Sequence, residues 1–332
     1  MTTPLLEVQR LSIGIQRSRD YLRAVNDISF TINRGEILGI VGESGCGKTL
    51  TALAIPGLLP DGASISSGDI VFENRNFAGL KDRERCEIRG KHLSMIFQEP
   101  MTSLNPLIKI GRQIAEPLEL HGYTDKVRIR REVLDVMEKV GLPDPERLSG
   151  EYPHQLSGGM RQRVMIALAM ICKPKLLIAD EPTTALDVTI QAQLLRLMQW
   201  FNRTQGTSIL FISHDLALVN RLCNRVLVMY AGKLVEEGPV RDIFRRPAHE
   251  YTKGLIGAIP SKDRKGGPLA NIPGKVPSIE DAGKLRGCPF APRCSRREAR
   301  CDASFPARMD LGGGRTVCCF PPTGNGAAGG GV

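Results

Sequence analysis

The chain has 332 residues, 42% apolar and 24% charged, enough for one large or two modest domains of a soluble globular protein. The N-terminus, MTTPLLEVQRLSIGIQRSRDYLR, lacks the apolar core and small-residue cleavage site of a signal peptide. Apolar runs such as 176–179 and 208–212 fall far short of the ~20 residues that span a bilayer, so a membrane role must come through a partner and the chain itself is expected in the cytosol.

The net charge of +10 is concentrated at one end. From 241 to 332, sixteen Lys or Arg stand against eight Asp or Glu, which suits nucleic acid, anionic lipid, an acidic partner or a merely solubilising surface.

From Leu6 to about Tyr230, β-type runs alternate with helical stretches. EILGIVG (36–42), HLSMIFQ (92–98), KLLIAD (175–180), SILFISH (208–214) and RVLVMYAGKLVEEG (225–238) read as strands. Helices are expected over 49–59, 128–140, 158–172 and 190–203. Strands followed by helices predict an α/β fold with a largely parallel core. The mainly helical stretch 101–158, between two core strands, predicts an inserted helical subdomain. After Tyr251 Gly and Pro become frequent and periodicity fades, which predicts a small C-terminal domain within 261–332 after a first domain over 1–260. The Gly/Ala-rich end, TGNGAAGGGV, is expected to be disordered.

Gly42-Glu43-Ser44-Gly45-Cys46-Gly47-Lys48-Thr49 matches G-x-x-x-x-G-K-[ST], directly after a strand and before a helix. Its glycines let backbone N–H groups turn around phosphate oxygens at the positive end of the helix. Lys48 would reach the β- and γ-phosphates and Thr49 would ligate Mg²⁺. Cys46 is a small residue filling the loop. In LLIADE, Asp180 emerges at the carboxyl end of a buried strand and would hold the Mg²⁺ shell, while Glu181 would accept a proton from attacking water.

Between these halves stands Leu156-Ser157-Gly158-Gly159-Met160-Arg161-Gln162-Arg163. It resembles the LSGGQ signature of ABC ATPases, with Met160 in the usual Gln place. At a helix N-terminus, Ser157 and the amides of Gly158 and Gly159 can clasp a γ-phosphate. In this family that phosphate belongs to the partner subunit's nucleotide, so the resemblance implies two chains closed head-to-tail over two ATP molecules. Gln98 resembles the Q-loop glutamine that touches Mg²⁺ or water and links the core to the helical subdomain. Ala185-Leu186-Asp187 resembles the D-loop, and His214 the switch histidine. Tyr21 is the candidate for an aromatic that stacks on adenine.

YPHQLSGGMRQRVMIALAMICKPKLLIADEPTTALDVTIQAQ, GESGCGK and the C-terminal GCPFAPRC resemble the dipeptide and oligopeptide importer branch over nearly the whole chain. The resemblance implies a RecA-like core, an antiparallel β-subdomain, a helical subdomain and a small Cys-rich C-terminal domain. It also implies a heterodimer with a second ATPase subunit at the cytoplasmic face of the membrane. There it would dock on two permeases fed by an extracytoplasmic substrate-binding protein, with no nucleic-acid partner. The alternative is a soluble ABC ATPase acting on ribosomes or nucleic acid. Such proteins usually carry two cassettes or a long coiled coil, and neither is found here.

Five of the nine cysteines lie between Cys288 and Cys319, which in a cytosolic protein suggests metal chemistry more than disulfides. Cys288, Cys294, Cys301 and the Cys318-Cys319 pair suit a [4Fe–4S] cluster or Zn²⁺, and spacing alone leaves the metal open. In this importer branch a matching C-x₅-C-x₆-C…C set is associated with a [4Fe–4S] cluster. The family pattern selects Cys319 over Cys318 as fourth ligand.

Overall fold

The computed structural model describes residues 3–17, 20–77, 79–98, 104–183, 187–259 and 271–320. In chain order the elements are β1 (Leu6–Arg17), β2 (Asp20–Ile32), β3 (Ile37–Val41), α1 (Lys48–Ala54), β4 (Ala63–Phe72), β5 (Arg75–Asn76), α2 (Asp82–Ile88) and β6 (Leu93–Ile96). Then come α3 (Ile110–Leu120), α4 (Lys126–Lys139), α5 (Pro145–Leu148), α6 (Gly158–Met170), β7 (Leu176–Asp180), α7 (Val188–Gln205), β8 (Ser208–Ile212) and α8 (Leu216–Leu222). The chain continues through β9 (Arg225–Tyr230), β10 (Lys233–Pro239), α9 (Val240–Arg245), α10 (Glu250–Gly257), α11 (Ile279–Lys284), α12 (Ala299–Ala303), β11 (Met309–Gly312) and β12 (Arg315–Val317). The expected tail over 323–332 lies outside the described residues.

The chain forms two units interleaved along the sequence, one from 1–6, 32–37 and 72–212, the other from 7–31, 38–71 and 213–332. In the first unit β6, β7 and β8 run parallel, in register from Leu93↔Leu176 and from Leu176↔Ser208 to Asp180↔Ile212. Every residue of β7 and β8 is buried. A parallel strand covered on both faces cannot alternate apolar with polar, and so LLIAD and SILFI read as unbroken apolar runs.

Helices of the same unit show the complementary pattern. α4 buries Ile129, Val133, Val136 and Met137, one stripe at helical spacing, and Asp125 caps it by accepting from the N–H groups of Val127 and Arg128. α6 buries Val164, Met165, Ile166, Ala167, Ala169 and Met170, so apolar residues face nearly all round it, as in a helix enclosed by its neighbours. The helices α3 to α6 occupy most of the stretch expected to be a helical insertion; residues 101–103 lie outside the described ones.

In the second unit β3 pairs parallel with β9, from Leu38↔Arg225 to Val41↔Val228. β10 is antiparallel to β9, β12 to β10, and β11 to β12, so the local sheet is mixed. A separate sheet places β1 between β2 and β4. The run 225–238, expected as one strand, is two strands. Ala231 and Gly232 both take left-handed φ, 44° and 79°, and turn the chain back as a two-residue hairpin does. Alanine hides this turn from sequence reading, because Asn or Asp is the usual first residue. A Cβ on Gly232 would lie 2.6 Å from the Ala24 carbonyl, so only glycine fits.

α1 also stops earlier than expected, at Ala54. Ile55 still has helical dihedrals, and the chain turns away at Gly57. Its φ of 68° ends the helix in the left-handed conformation that glycine adopts without strain, with the Leu58 N–H donating back to the Leu53 carbonyl at 2.8 Å. Toward the C-terminus the β11–β12 hairpin extends the sheet through Glu236↔Val317 and Glu237↔Thr316, and Cys288, Phe290, Ala291, Cys301 and Cys318 are buried.

Candidate nucleotide site

Residues 42–47 form a loop between the end of β3 and the start of α1, which Lys48 and Thr49 open, in the second unit. Gly47 caps α1 at φ 104°, a region L-residues rarely adopt. A Cβ on Gly42 would sit 2.1 Å from the Met229 carbonyl, so this position needs glycine for close approach. The turn of the β9–β10 hairpin props the loop from behind, the Gly232 N–H donating to the Cys46 carbonyl at 2.9 Å.

Lys48 is 4% exposed, and its ammonium donates to the carbonyls of Gly42 at 2.8 Å and Glu43 at 3.1 Å. Ser44, Gly45 and Thr49 are exposed at the loop surface. Burial pushes the Cys46 thiol above its ordinary range, against the pull of Lys48, so it behaves as a small apolar filler.

The first unit carries the carboxylates. Asp180 closes β7 and is 2% exposed. Glu181 follows with φ 45°, a strained value for a side chain with a Cβ, which breaks the strand's alternation. Its N–H donates to the Ile212 carbonyl at 3.0 Å, and its carboxylate accepts from Gln98 Nε2 at 3.5 Å. Thus the structure brings Gln98 to Glu181.

Ser157 is the N-cap of α6, its hydroxyl accepting from the Met160 N–H at 3.3 Å, and Ser157 and Gly158 are exposed. Gln162, which sequence reading passed over, is 2% exposed and donates from Nε2 to the Pro182 carbonyl at 2.6 Å. It ties the signature helix to the residue after Glu181. A polar side chain on the buried side of an apolar helix was the available signal.

Three further expected residues lie on other elements. Asp187 caps α7, its carboxylate accepting from the Ile190 N–H at 2.9 Å; Ala185 and Leu186 lie outside the described residues. His214 is exposed just beyond the end of β8, before Asp215 caps α8. Tyr21 is 47% exposed and lines a cleft with Leu22, Ala231, Lys233 and Leu285. Its ring crosses Gly14, where a Cβ would come within 1.9 Å of Tyr21 Cζ, so glycine in β1 makes the seat for the ring.

The cysteine set is only partly what the spacing suggests. Among the described residues no group of three or more His, Cys, Asp or Glu is arranged to hold a metal ion, so neither the expected cluster nor zinc finds support there. A single Zn²⁺ needs its thiolates about 2.3 Å from one point. Cys319 does lie within the electrostatic reach of Cys288, Cys294 and Cys301, whereas Cys318 faces Arg308 and Lys233. Burial pushes the thiols of Cys288 up to about 11 and Cys319 up to about 12. They are therefore neutral in this environment, and a metal would have to displace their protons.

A phosphate loop behind a buried strand, a carboxylate pair ending another, and an LSGG helix N-terminus define an ATP-binding cassette ATPase. Residues 25–184 match the family model described as ABC transporter, and residues 235–301 match that of the oligopeptide/dipeptide transporter, C-terminal region. The chain is 46% identical over 317 residues to the dipeptide transport ATP-binding protein DppD of Bacillus subtilis, covering 95% of this chain and 94% of that one. It is 45% identical over 318 residues to the oligopeptide transport ATP-binding protein OppD of Salmonella typhimurium, covering 96% and 94%.

Among solved structures, the dimeric post-hydrolysis state of the ATP-binding cassette MJ0796 bound to ADP and Pi aligns with TM-score 0.65 at 25% identity, over 71% of this chain and 99% of that one. CbiO1 of Clostridium perfringens, part of the ABC transporter complex cbiONQ, aligns with TM-score 0.63 at 27% identity, over 73% and 91%. The chain belongs to the ATP-binding proteins of ABC transporters, in the oligopeptide/dipeptide group. A ribosomal or nucleic-acid role is not favoured, since much of the basic C-terminal segment falls in the transporter-specific match. Among the described residues no helix is long and apolar enough to cross a membrane.

Proposed function

We propose that this chain hydrolyses ATP to drive import of di- or oligopeptides, as one half of a heterodimer with a second ATPase subunit. The pair would sit at the cytoplasmic face of the membrane, on two permease subunits supplied by an extracytoplasmic substrate-binding protein. The observation that carries this reading is the likeness to peptide-transport ATPases along 95% of the chain, C-terminal region included.

Phosphoryl transfer to water needs positioning and charge neutralisation more than covalent chemistry. Lys48 and the amides of residues 42–49 would hold the phosphates, and Thr49, Asp180 and Gln98 would ligate Mg²⁺. Glu181 would take the proton of the attacking water and His214 would polarise it. Ser157, Gly158 and Gly159 would close on the partner's nucleotide with Asp187 at the interface, and Tyr21 would stack on adenine. Gln98 would carry the change at the phosphates to the helices α3 to α6, and so to a permease.

The reading is tested by reconstituting the chain with its partner ATPase and permeases in vesicles and following ATP-dependent uptake of labelled di- and oligopeptides. Uptake that stops when Lys48 is replaced by Ala is the expected result. ATP hydrolysis stimulated only by a non-peptide cargo such as nickel would overturn the peptide assignment.

The finer proposal for the C-terminus is a [4Fe–4S] cluster on Cys288, Cys294, Cys301 and Cys319. Its support is the likeness to the importer branch, together with the electrostatic influence of Cys288, Cys294 and Cys301 on Cys319. When bound, the cluster would staple a Gly/Pro-rich segment. Protein purified without oxygen is expected to be brown, with broad absorbance near ~400 nm and about four irons per chain. Cys319→Ser should remove the colour and Cys318→Ser should keep it. Colourless protein, with zinc or with no metal, would end this proposal and leave the ATPase assignment intact.

A further inference from the structure

The phosphate loop is gripped from outside by the Cys-rich segment. The Glu43 N–H donates to the Tyr251 hydroxyl at 2.8 Å. The Glu43 carboxylate receives both terminal nitrogens of Arg293, Nη1 to Oε2 at 2.8 Å and Nη2 to Oε1 at 3.2 Å, a fork-to-fork pair. Arg293 ends a 3₁₀ turn, Ala291–Arg293, immediately before Cys294. Its side chain is 5% exposed, against 27% for Glu43.

The remaining contacts of that guanidinium are made within the C-terminal part of the second unit. Nε donates to the Pro273 carbonyl at 2.8 Å, Nη2 to the Ile272 carbonyl at 3.2 Å and Nη1 to the Tyr230 hydroxyl at 3.2 Å. The rings of Tyr230 and Phe290 each lie 5.8 Å from its central carbon. The stem passes over Gly274, where a Cβ would come within 3.3 Å of Arg293 Cγ. Tyr251 is equally fixed: fully buried, it packs against Tyr230 at 4.6 Å and Phe290 at 5.4 Å, and its N–H donates to His249 Nδ1 at 3.1 Å. A side chain so completely satisfied holds its partner in one place.

The partner matters because of Lys48. Its ammonium donates to the carbonyls of Gly42 and Glu43, and Glu43 is the residue that Tyr251 holds by its backbone N–H and Arg293 by its carboxylate. Loss of the outer grip would let the Gly42–Glu43 backbone drift and carry the ammonium with it.

We propose that Arg293 is a positioning residue for nucleotide binding, through which the Cys-rich C-terminal segment sets the shape of the phosphate loop and hence the affinity for ATP. This rests on residues 42–49 being the ATP-binding loop. The bidentate geometry belongs to a guanidinium, and lysine cannot reproduce it.

The test uses the full chain in its assembled complex and reads both the affinity for a fluorescent ATP analogue and the split between KM and kcat. Arg293→Met and Glu43→Gln are each expected to raise Kd and KM by about tenfold or more, with kcat changed less than about twofold, since a charge-assisted pair is lost and no reacting group is touched. Arg293→Lys should recover only part of the affinity. If Arg293→Met fails to fold, Glu43→Gln decides, because it leaves the bonds of Arg293 to Pro273, Ile272 and Tyr230 in place.

Affinity and KM within twofold of wild type in Glu43→Gln overturn the proposal. Lys48→Ala separates this failure from that of the underlying reading. If Lys48→Ala loses the nucleotide while Glu43→Gln binds normally, only the grip is wrong. If Lys48→Ala binds like wild type, residues 42–49 are not the ATP site.

Discussion

Glu181→Gln is expected to cut ATP turnover at this subunit's site by at least ~10²-fold while leaving ATP binding intact. The two effects separate because different groups carry them. In the proposed mechanism binding would depend on Lys48, on the loop amides and on Asp180, none of which the substitution alters. Hydrolysis would depend on a carboxylate that can accept a proton, which an isosteric amide cannot.

The geometry favours Glu181 over its neighbour for this role. Asp180 is buried at the end of β7, as suits a group that holds a metal ion in place. Glu181 leaves the strand at φ 45° with its carboxylate beside Gln98. A left-handed backbone costs about 1–2 kcal/mol for a residue with a Cβ, and such strain gathers at functional sites. Hydrolysis blocked after binding should also leave the dimer closed, visible as an ATP-dependent shift in size-exclusion chromatography. The measurement is single-turnover ADP formation with the partner's site independently disabled. Near-normal turnover under those conditions would remove Glu181 from the role of general base.

Much of this was legible in the chain because the relevant signals are local. A phosphate loop needs glycines at fixed spacing behind a buried strand, and both the loop and ILGIV stand in sequence order. β7 and β8 were found within a residue or two, since strands covered on both faces leave unbroken apolar runs. The β9–β10 hairpin was not found, because its first turn residue is alanine at φ 44° and the apolar character runs through the turn.

Long-range partners were illegible for a different reason. Nothing local marks Arg293 as the partner of Glu43, 250 positions away, or Gln162 as the donor to Pro182. These pairs are made by topology, and no periodicity encodes them. Similarly, spacing could not separate Cys318 from Cys319, whereas Cys318 lines a cleft with Arg308 and Lys233 and Cys319 feels the electrostatic influence of Cys288, Cys294 and Cys301.

Ser157→Arg is expected to lower hydrolysis at the partner's site by about 10²-fold or more, the scale at which removal of one well-placed donor or acceptor slows catalysis. Ser157 is exposed at the N-terminus of α6, and the first amides of a helix make a ready anion site. Arginine there would fill the space a phosphate must enter and place a cation at the positive end of the helix. It would also remove the hydroxyl that accepts from the Met160 N–H, a cap worth about 0.5–2 kcal/mol, so a modest fall in melting temperature should accompany the kinetic effect. Nucleotide affinity of the isolated chain should barely change, because Lys48 and its loop are untouched. Ser157→Ala separates the two contributions: it loses the cap without adding bulk or charge, and should slow the partner's site less. The decisive measurement is ADP formation in heterodimers in which only one site at a time can hydrolyse. If the isolated chain carrying Ser157→Arg loses ATP binding, Ser157 belongs to the chain's own site and the head-to-tail arrangement is wrong. If binding is kept and only the partner's site is slowed, each subunit completes the catalytic site of the other.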